Sequence, residues 1–116
     1  MRFTDIEIDR LKRNRDSIVF WIKENIIPTL SGFDKFESIE VILPYGMHGN
    51  KWFFEVMSNG KIECSFNVGP RKALSDIDNT DDLWTITSQW SSVKNQLLKG
   101  IEERKLRSDI INNFEV

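Results

Sequence analysis

Few side chains in this sequence can carry out nucleophilic or metal chemistry. His48 is the only histidine and Cys64 the only cysteine, so a Cys–His dyad has to be built from that pair. A catalytic thiol needs partial exposure and a base beside it. The alternation around Cys64 instead places it on an apolar strand face, where a thiol packs as a small hydrophobe. A zinc site from the same pair would need two carboxylates in matching geometry. The densest run of hard oxygens is Asp76-Ile77-Asp78-Asn79-Thr80-Asp81-Asp82. Such carboxylates suit calcium, and Asp76, Asp78 and Asp82 are the candidate metal ligands. Against an EF-hand loop starting at Asp76, however, Asp81 falls where glycine is required and Thr87 where the bidentate glutamate is required. The expectation is a solvated loop whose last acids favour the start of a helix, with no metal and no cofactor. A calcium-binding domain or a metal-dependent enzyme working on carboxylates alone is kept as an alternative. Gly46-Met47-His48-Gly49 has the look of a phosphate clamp, but it joins two strands and opens no helix, so it reads as a turn. Its Tyr45 and His48 are candidate contacts for a partner, as loop residues beside a sheet often are.

Charge narrows the partner classes. The net charge is −2 over 116 residues. Residues 1–30 carry six basic against five acidic side chains, residues 31–82 five against nine, and residues 83–116 five against four. The acidic middle is the opposite of the basic face that neutralises phosphates, so nucleic acid is disfavoured. One cysteine forms no internal disulfide, the longest apolar stretches are far below the roughly twenty residues of a membrane span, and Arg2, Asp5, Glu7 and Asp9 interrupt any signal-peptide core. A cytoplasmic protein of one domain, residues 1–116, is the expectation, with no membrane partner.

The elements follow from pattern. Thr4 followed by Glu7 is a capping box, and Pro28 marks the end of the helix it starts. Ile8, Leu11, Ile18, Val19, Ile22 and Ile26 share one helical face. Arg15 lies within that stripe and is expected to pack its stem there while its head reaches water. Residues 36–43 alternate as a strand, and residues 51–57 and 61–68 flank Ser58-Asn59-Gly60 as a hairpin. A two-residue turn would split the apolar side chains between faces. A three-residue loop pairs Val56 with Ile62, Phe54 with Cys64 and Trp52 with Phe66, and a buried face selects that register. Residues 69–82 read as a connection. A second helix is predicted from about Thr87 to Arg107, with Ile86, Trp90, Val93, Leu97 and Ile101 as its stripe, and residues 83–87 read equally as its start or as a short strand. Residues 108–116 are a final turn or a loose tail. The fold class is therefore α+β, a helix, a three-stranded antiparallel meander and a helix (αβββα), with both helices on one face of the sheet.

That order, with His48, Lys51 and the hairpin in similar places, resembles the double-stranded RNA-binding domain. The resemblance implies a lysine-rich start to the second helix for phosphate contact. Here Asp81, Asp82 and Leu83 stand near that point, and Arg71 and Lys72 are followed by four aspartates, which counts against RNA binding.

The open sheet face carries the functional expectation. The chosen register displays Glu40, Ile42, Phe53, Glu55, Met57, Lys61, Glu63 and Ser65 there, with Glu55 directly opposite Glu63. Like charges in that relation are destabilising. Either the C-terminal tail covers this face with Ile110, Ile111 and Phe114, or the face docks a basic partner, for which charge steers association and the apolar residues anchor. Glu40, Phe53, Glu55, Met57, Glu63, Tyr45 and His48 are the partner-binding candidates, with Phe20 on the first helix as a further contact. The leading expectation is a non-enzymatic inhibitor of a basic, nucleic-acid-processing protein, by class analogy with bacterial immunity proteins and phage anti-defence proteins. A structural subunit or homodimerising module is the alternative.

Overall fold

The computed structural model describes residues 2–114, and for residues 111–114 the backbone alone. Helix α1 (Asp5–Asn25) and the single turn α2 (Ile27–Leu30) precede strands β1 (Ser38–Pro44), β2 (Lys51–Met57), β3 (Ile62–Phe66) and β4 (Lys72–Ala73). A 3-10 turn (Leu74–Asp76) leads to α3 (Thr80–Ser88) and α4 (Trp90–Phe114). The four strands form one antiparallel sheet in the order β1-β2-β3-β4. The fold is α+β, with one strand more than the sequence pattern predicts.

Local chemistry sets the boundaries. The capping box forms at α1: the Thr4 hydroxyl accepts from the Glu7 amide at 3.2 Å, and Glu7 Oε1 accepts from the Thr4 amide at 3.1 Å. Pro28 does not directly end α1, which stops at Asn25. It opens α2, where a missing amide hydrogen costs nothing. The hairpin takes the three-residue loop. Val56 pairs with Ile62, Phe54 with Cys64 and Trp52 with Phe66, and Gly60 adopts the positive φ of 97° that the turn needs.

Two boundaries differ from expectation, and a third that was open between helix and strand is helical. Residues 72–73 are not connection but β4, pairing Ala73 with Glu63 and Lys72 with Cys64, too short to display any alternation. Residues 83–87 are helical: the Asn79 side chain caps α3 by accepting from the Asp82 amide at 3.2 Å, and Asp81 and Asp82 lie in its first turn. That cap and the acidic first turn outweigh the strand-like composition of Leu83-Trp84-Thr85-Ile86-Thr87. Finally, residues 108–114 are neither a separate turn nor a loose tail but the last turns of α4.

The core joins the helix stripes to one sheet face. Leu11, Ile18, Ile22 and Ile26 of the N-terminal helical segment, Val93, Leu97 and Ile101 of α4, and Leu83 and Ile86 of α3 are buried together with Ile39, Val41, Leu43, Trp52, Phe54, Val56, Ile62 and Cys64. Gly100 permits α4 to approach β1 closely, since a Cβ there would lie 3.1 Å from Ile39 side-chain carbons. Gln89, between α3 and α4, ties the helices to the sheet: its Oε1 accepts from the buried Trp52 Nε1 at 2.9 Å, and its Nε2 donates to the Pro44 carbonyl at 2.8 Å. Arg15 departs from expectation. Its head does not reach open water but donates through Nη1 to the Ile77 carbonyl at 2.7 Å and to Asp78 at 3.0 Å, and through Nε to Asp16 at 3.0 Å. These partners hold a charge that is 8% exposed, and they bind the 76–82 loop to α1.

Candidate functional site

The open face is built by strand register. Antiparallel pairing sets Glu40 opposite Glu55 and Glu55 opposite Glu63, so three carboxylates lie in one row across β1, β2 and β3. Ile42 pairs with Phe53, and Ser38 with Met57, on the same face. Left alone, this row would repel itself. Arg71, just before β4, crosses it: Nη1 meets Glu55 Oε1 at 2.5 Å and Nη2 meets Glu40 Oε2 at 3.2 Å. The bond to Glu55 is the main reason the Arg71 pKa is raised. One guanidinium thus pairs with two of the three carboxylates, and Glu63 has no ion pair among the described residues.

Sequence reasoning located the row but not its cover. Arg71 also lines, with Phe53, Glu55, Glu63 and Ser65, a small hollow on this face, and Ser65 is buried there. The side chains of Phe53, Glu55, Met57 and Glu63 are half-buried, whereas Glu40, Ile42 and Lys61 are exposed. The connection from β3 therefore partly covers the face. The C-terminal segment continues α4, Ile110 is 55% exposed, and the expected contacts of Ile111 and Phe114 lie outside the described side chains.

The remaining candidates do not join this row. Tyr45 packs on Phe66 with ring centroids 5.3 Å apart, and its hydroxyl donates to Asp82 Oδ1 at 3.0 Å. Burial, then the Asp82 carboxylate, pushes its pKa to about 12, so the phenol stays neutral and structural. His48 is exposed in the β1–β2 loop at a φ of 67°. Phe20 is 66% exposed on α1. Cys64 is 1% exposed in the core, and burial pushes its thiol pKa strongly up, away from the nucleophilic thiolate. Of the metal candidates, Asp78 is engaged by Arg15 and Asp82 by Tyr45, and burial raises the Asp82 pKa. Among the described residues no group of three histidine, cysteine or acidic side chains is arranged to hold a metal ion. No helix there is long and apolar enough to cross a membrane.

A second ionic cluster escaped the sequence reading altogether. Glu37, ahead of β1, receives Arg104 Nε and Arg107 Nη2, both at 2.7 Å, and the Arg104 bond above all lowers its pKa. Arg104 also donates to the Ser38 and Gly100 carbonyls. Glu37 lies 67 positions from Arg104 and 70 from Arg107, and neither periodicity nor local spacing links them. Comparison of the chain with protein-family models, with curated proteins and with solved structures returns no match.

Proposed function

We propose that this chain is a non-enzymatic binding protein whose open sheet face occludes a basic partner, in the manner of immunity and anti-defence proteins that block nucleic-acid-processing enzymes. The observation that carries this reading is the row Glu40–Glu55–Glu63, of which one guanidinium pairs with Glu40 and Glu55, bordered by Ile42, Phe53 and Met57. Carboxylates held opposite one another on a sheet cost stability. A cationic partner relieves that cost on binding, while the neighbouring apolar side chains provide anchors. The burial of Cys64 and the structural employment of Tyr45, Asp78 and Asp82 favour binding over catalysis. A free, buried cysteine also suits the reducing cytoplasm.

The test begins with capture of the partner from the native host by the tagged chain, with low-salt and high-salt washes. One stoichiometric basic protein, released at high salt, is the expected result. Glu40→Gln, Glu55→Gln and Glu63→Gln together should then slow its association by tenfold or more at low salt and flatten the salt dependence, since charge acts chiefly on encounter. Unchanged association kinetics would remove the open face from the interface. Recovery of the bait alone as a concentration-independent dimer would favour the structural-subunit reading.

A further inference from the structure

We infer that the outer edge of β1 is a strand-pairing site for a short extended segment of a basic partner, held between two side-chain stops. The direction of each backbone group follows from the hydrogen bonds that flank the β1–β2 ladder. The Ser58 amide donates to the Glu37 carbonyl at 2.8 Å and the Tyr45 amide to the Asn50 carbonyl at 2.8 Å. Bonded and non-bonded pairs alternate along an antiparallel ladder. Ile39, Val41 and Leu43 therefore bond to β2, while Ser38, Glu40, Ile42 and Pro44 turn their backbone groups to the outer edge. The carbonyls at both ends of that outer set are already taken. Arg104 Nη2 donates to Ser38, and Gln89 Nε2 to Pro44. Pro44 has no amide hydrogen to offer. Among the described residues, what stays open is the centre, Glu40 and Ile42.

An antiparallel segment placed there exchanges N–H and C=O bonds at both residues, the mode in which an extended peptide extends a sheet. Its neighbourhood selects the occupant. Between β1 and α4 runs a groove of about 400 Å³, lined by Ile39, Glu40, Gln96, Lys99, Gly100, Glu103 and Arg104. Because α4 bounds this groove, it accepts a single narrow chain rather than another helix-backed strand. Residues opposite Glu40 and Ile42 lie on the open-face side. The one between them, opposite Val41, enters the groove beneath α4 and has to be small and apolar. The residue opposite Glu40 extends the carboxylate row by one position, at the end far from β4; Glu40 is 40% exposed there and shares Arg71 with Glu55, so charge complementarity makes that residue lysine or arginine. This assignment rests on the open-face reading for the partner's charge and extends it to the partner's backbone.

The test uses the full chain, a Val-Lys-Val-Lys-Val-Lys probe and a Val-Glu-Val-Glu-Val-Glu control, followed by amide NMR and hydrogen exchange. The lysine probe should slow exchange of the Glu40 and Ile42 amides at least tenfold at saturation, with at least tenfold weaker binding of the control. Ile42→Pro removes an outward amide without breaking the β1–β2 ladder, and it should weaken the probe tenfold or more. N-methylating the probe's bonding-edge amides should do the same with the protein untouched. Resonance shifts confined to Phe53, Glu55 and Glu63, with the Glu40 and Ile42 amides unprotected, would overturn the edge site and leave the open-face reading standing. Equal binding of both peptides at the edge would overturn the basic occupant, and full affinity of the N-methylated probe would overturn strand pairing.

Discussion

Replacing Arg71 with alanine tests whether the carboxylate row is under electrostatic stress in the isolated chain. The guanidinium meets Glu55 at 2.5 Å and Glu40 at 3.2 Å, while Glu55 also faces Glu63. Arg71 and Glu40 side chains are 46% and 40% exposed, so each ion pair contributes at the modest scale of surface pairs, about 0.2–1 kcal/mol. Removing the cation also releases repulsion in two adjacent cross-strand pairs, each on a scale of about 0.2–1 kcal/mol. Glu55 is only 16% exposed and feels its neighbours with less screening, which places the total at about 1–2 kcal/mol. For a chain of this length that corresponds to a fall in Tm of roughly 4–8 °C. Urea and thermal unfolding at low salt and at about 1 M NaCl, where the Debye length shrinks to roughly 3 Å, give the diagnostic. The cost of Arg71→Ala should drop by half or more at high salt, and adding Glu55→Gln should recover much of it at low salt. A loss that is the same at both salt concentrations and unmoved by Glu55→Gln would mean that Arg71 acts by packing its stem over Phe53 and Ser65. The electrostatic motive for a cationic partner would then be gone.

Two further outcomes probe the scaffold. Gln89→Leu leaves the fully buried Trp52 N–H without its acceptor and should cost about 1–3 kcal/mol by urea unfolding, with a clearly smaller cost in a Trp52→Phe background; equal costs in both would dissociate Gln89 from the indole. Tyr45 is the only tyrosine, so tyrosinate absorbance reports it alone, and its midpoint in the folded chain should lie near pH 12 against about 10 in the unfolded one. Because the folded pKa is the higher, the neutral phenol's contribution to stability is complete below pH 10 and is lost as pH rises towards 12, a slope that Tyr45→Phe should abolish. A folded midpoint at 10 would refute the contact with Asp82.

What could be read from the sequence was what repeats or lies close together. The stripe of α1, the Thr4–Glu7 box and the hairpin register follow from period, capping and the demand for one buried face, and the register alone put Glu55 against Glu63. Strand β4 was not legible, because two residues contain no period. The split between α3 and α4 was hidden for a different reason: the stripe from Ile86 through Trp90 to Val93 continues past Gln89, and only the tertiary bonds of Gln89 to Trp52 and Pro44 explain the break. Arg15 shows the limit from the other side. Its place in the apolar stripe was evident, but its partners come from a loop more than sixty residues away.

The same limit governs the candidate site. Composition identified an acidic middle, and alternation gathered Glu40, Glu55 and Glu63 on one face, yet whether that face carries unbalanced charge depends on Arg71, which reaches it only because β4 folds back along β3. Folding thus brings one cation to two of the three carboxylates and leaves the row partly balanced, with Glu63 outside the ion pairs among the described residues. On the proposed reading, a surface balanced in this way gains when a partner adds positive charge. At the β1 end of the row Arg104 and Gln89 take the Ser38 and Pro44 carbonyls and, among the described residues, leave Glu40 and Ile42 without an edge partner, so the end carboxylate, whose pairing to Arg71 is the longer of the two at 3.2 Å, adjoins the place where backbone pairing is still open. That adjacency follows from a strand register that puts Glu40 in both sets, on the open face by its side chain and on the free edge by its backbone.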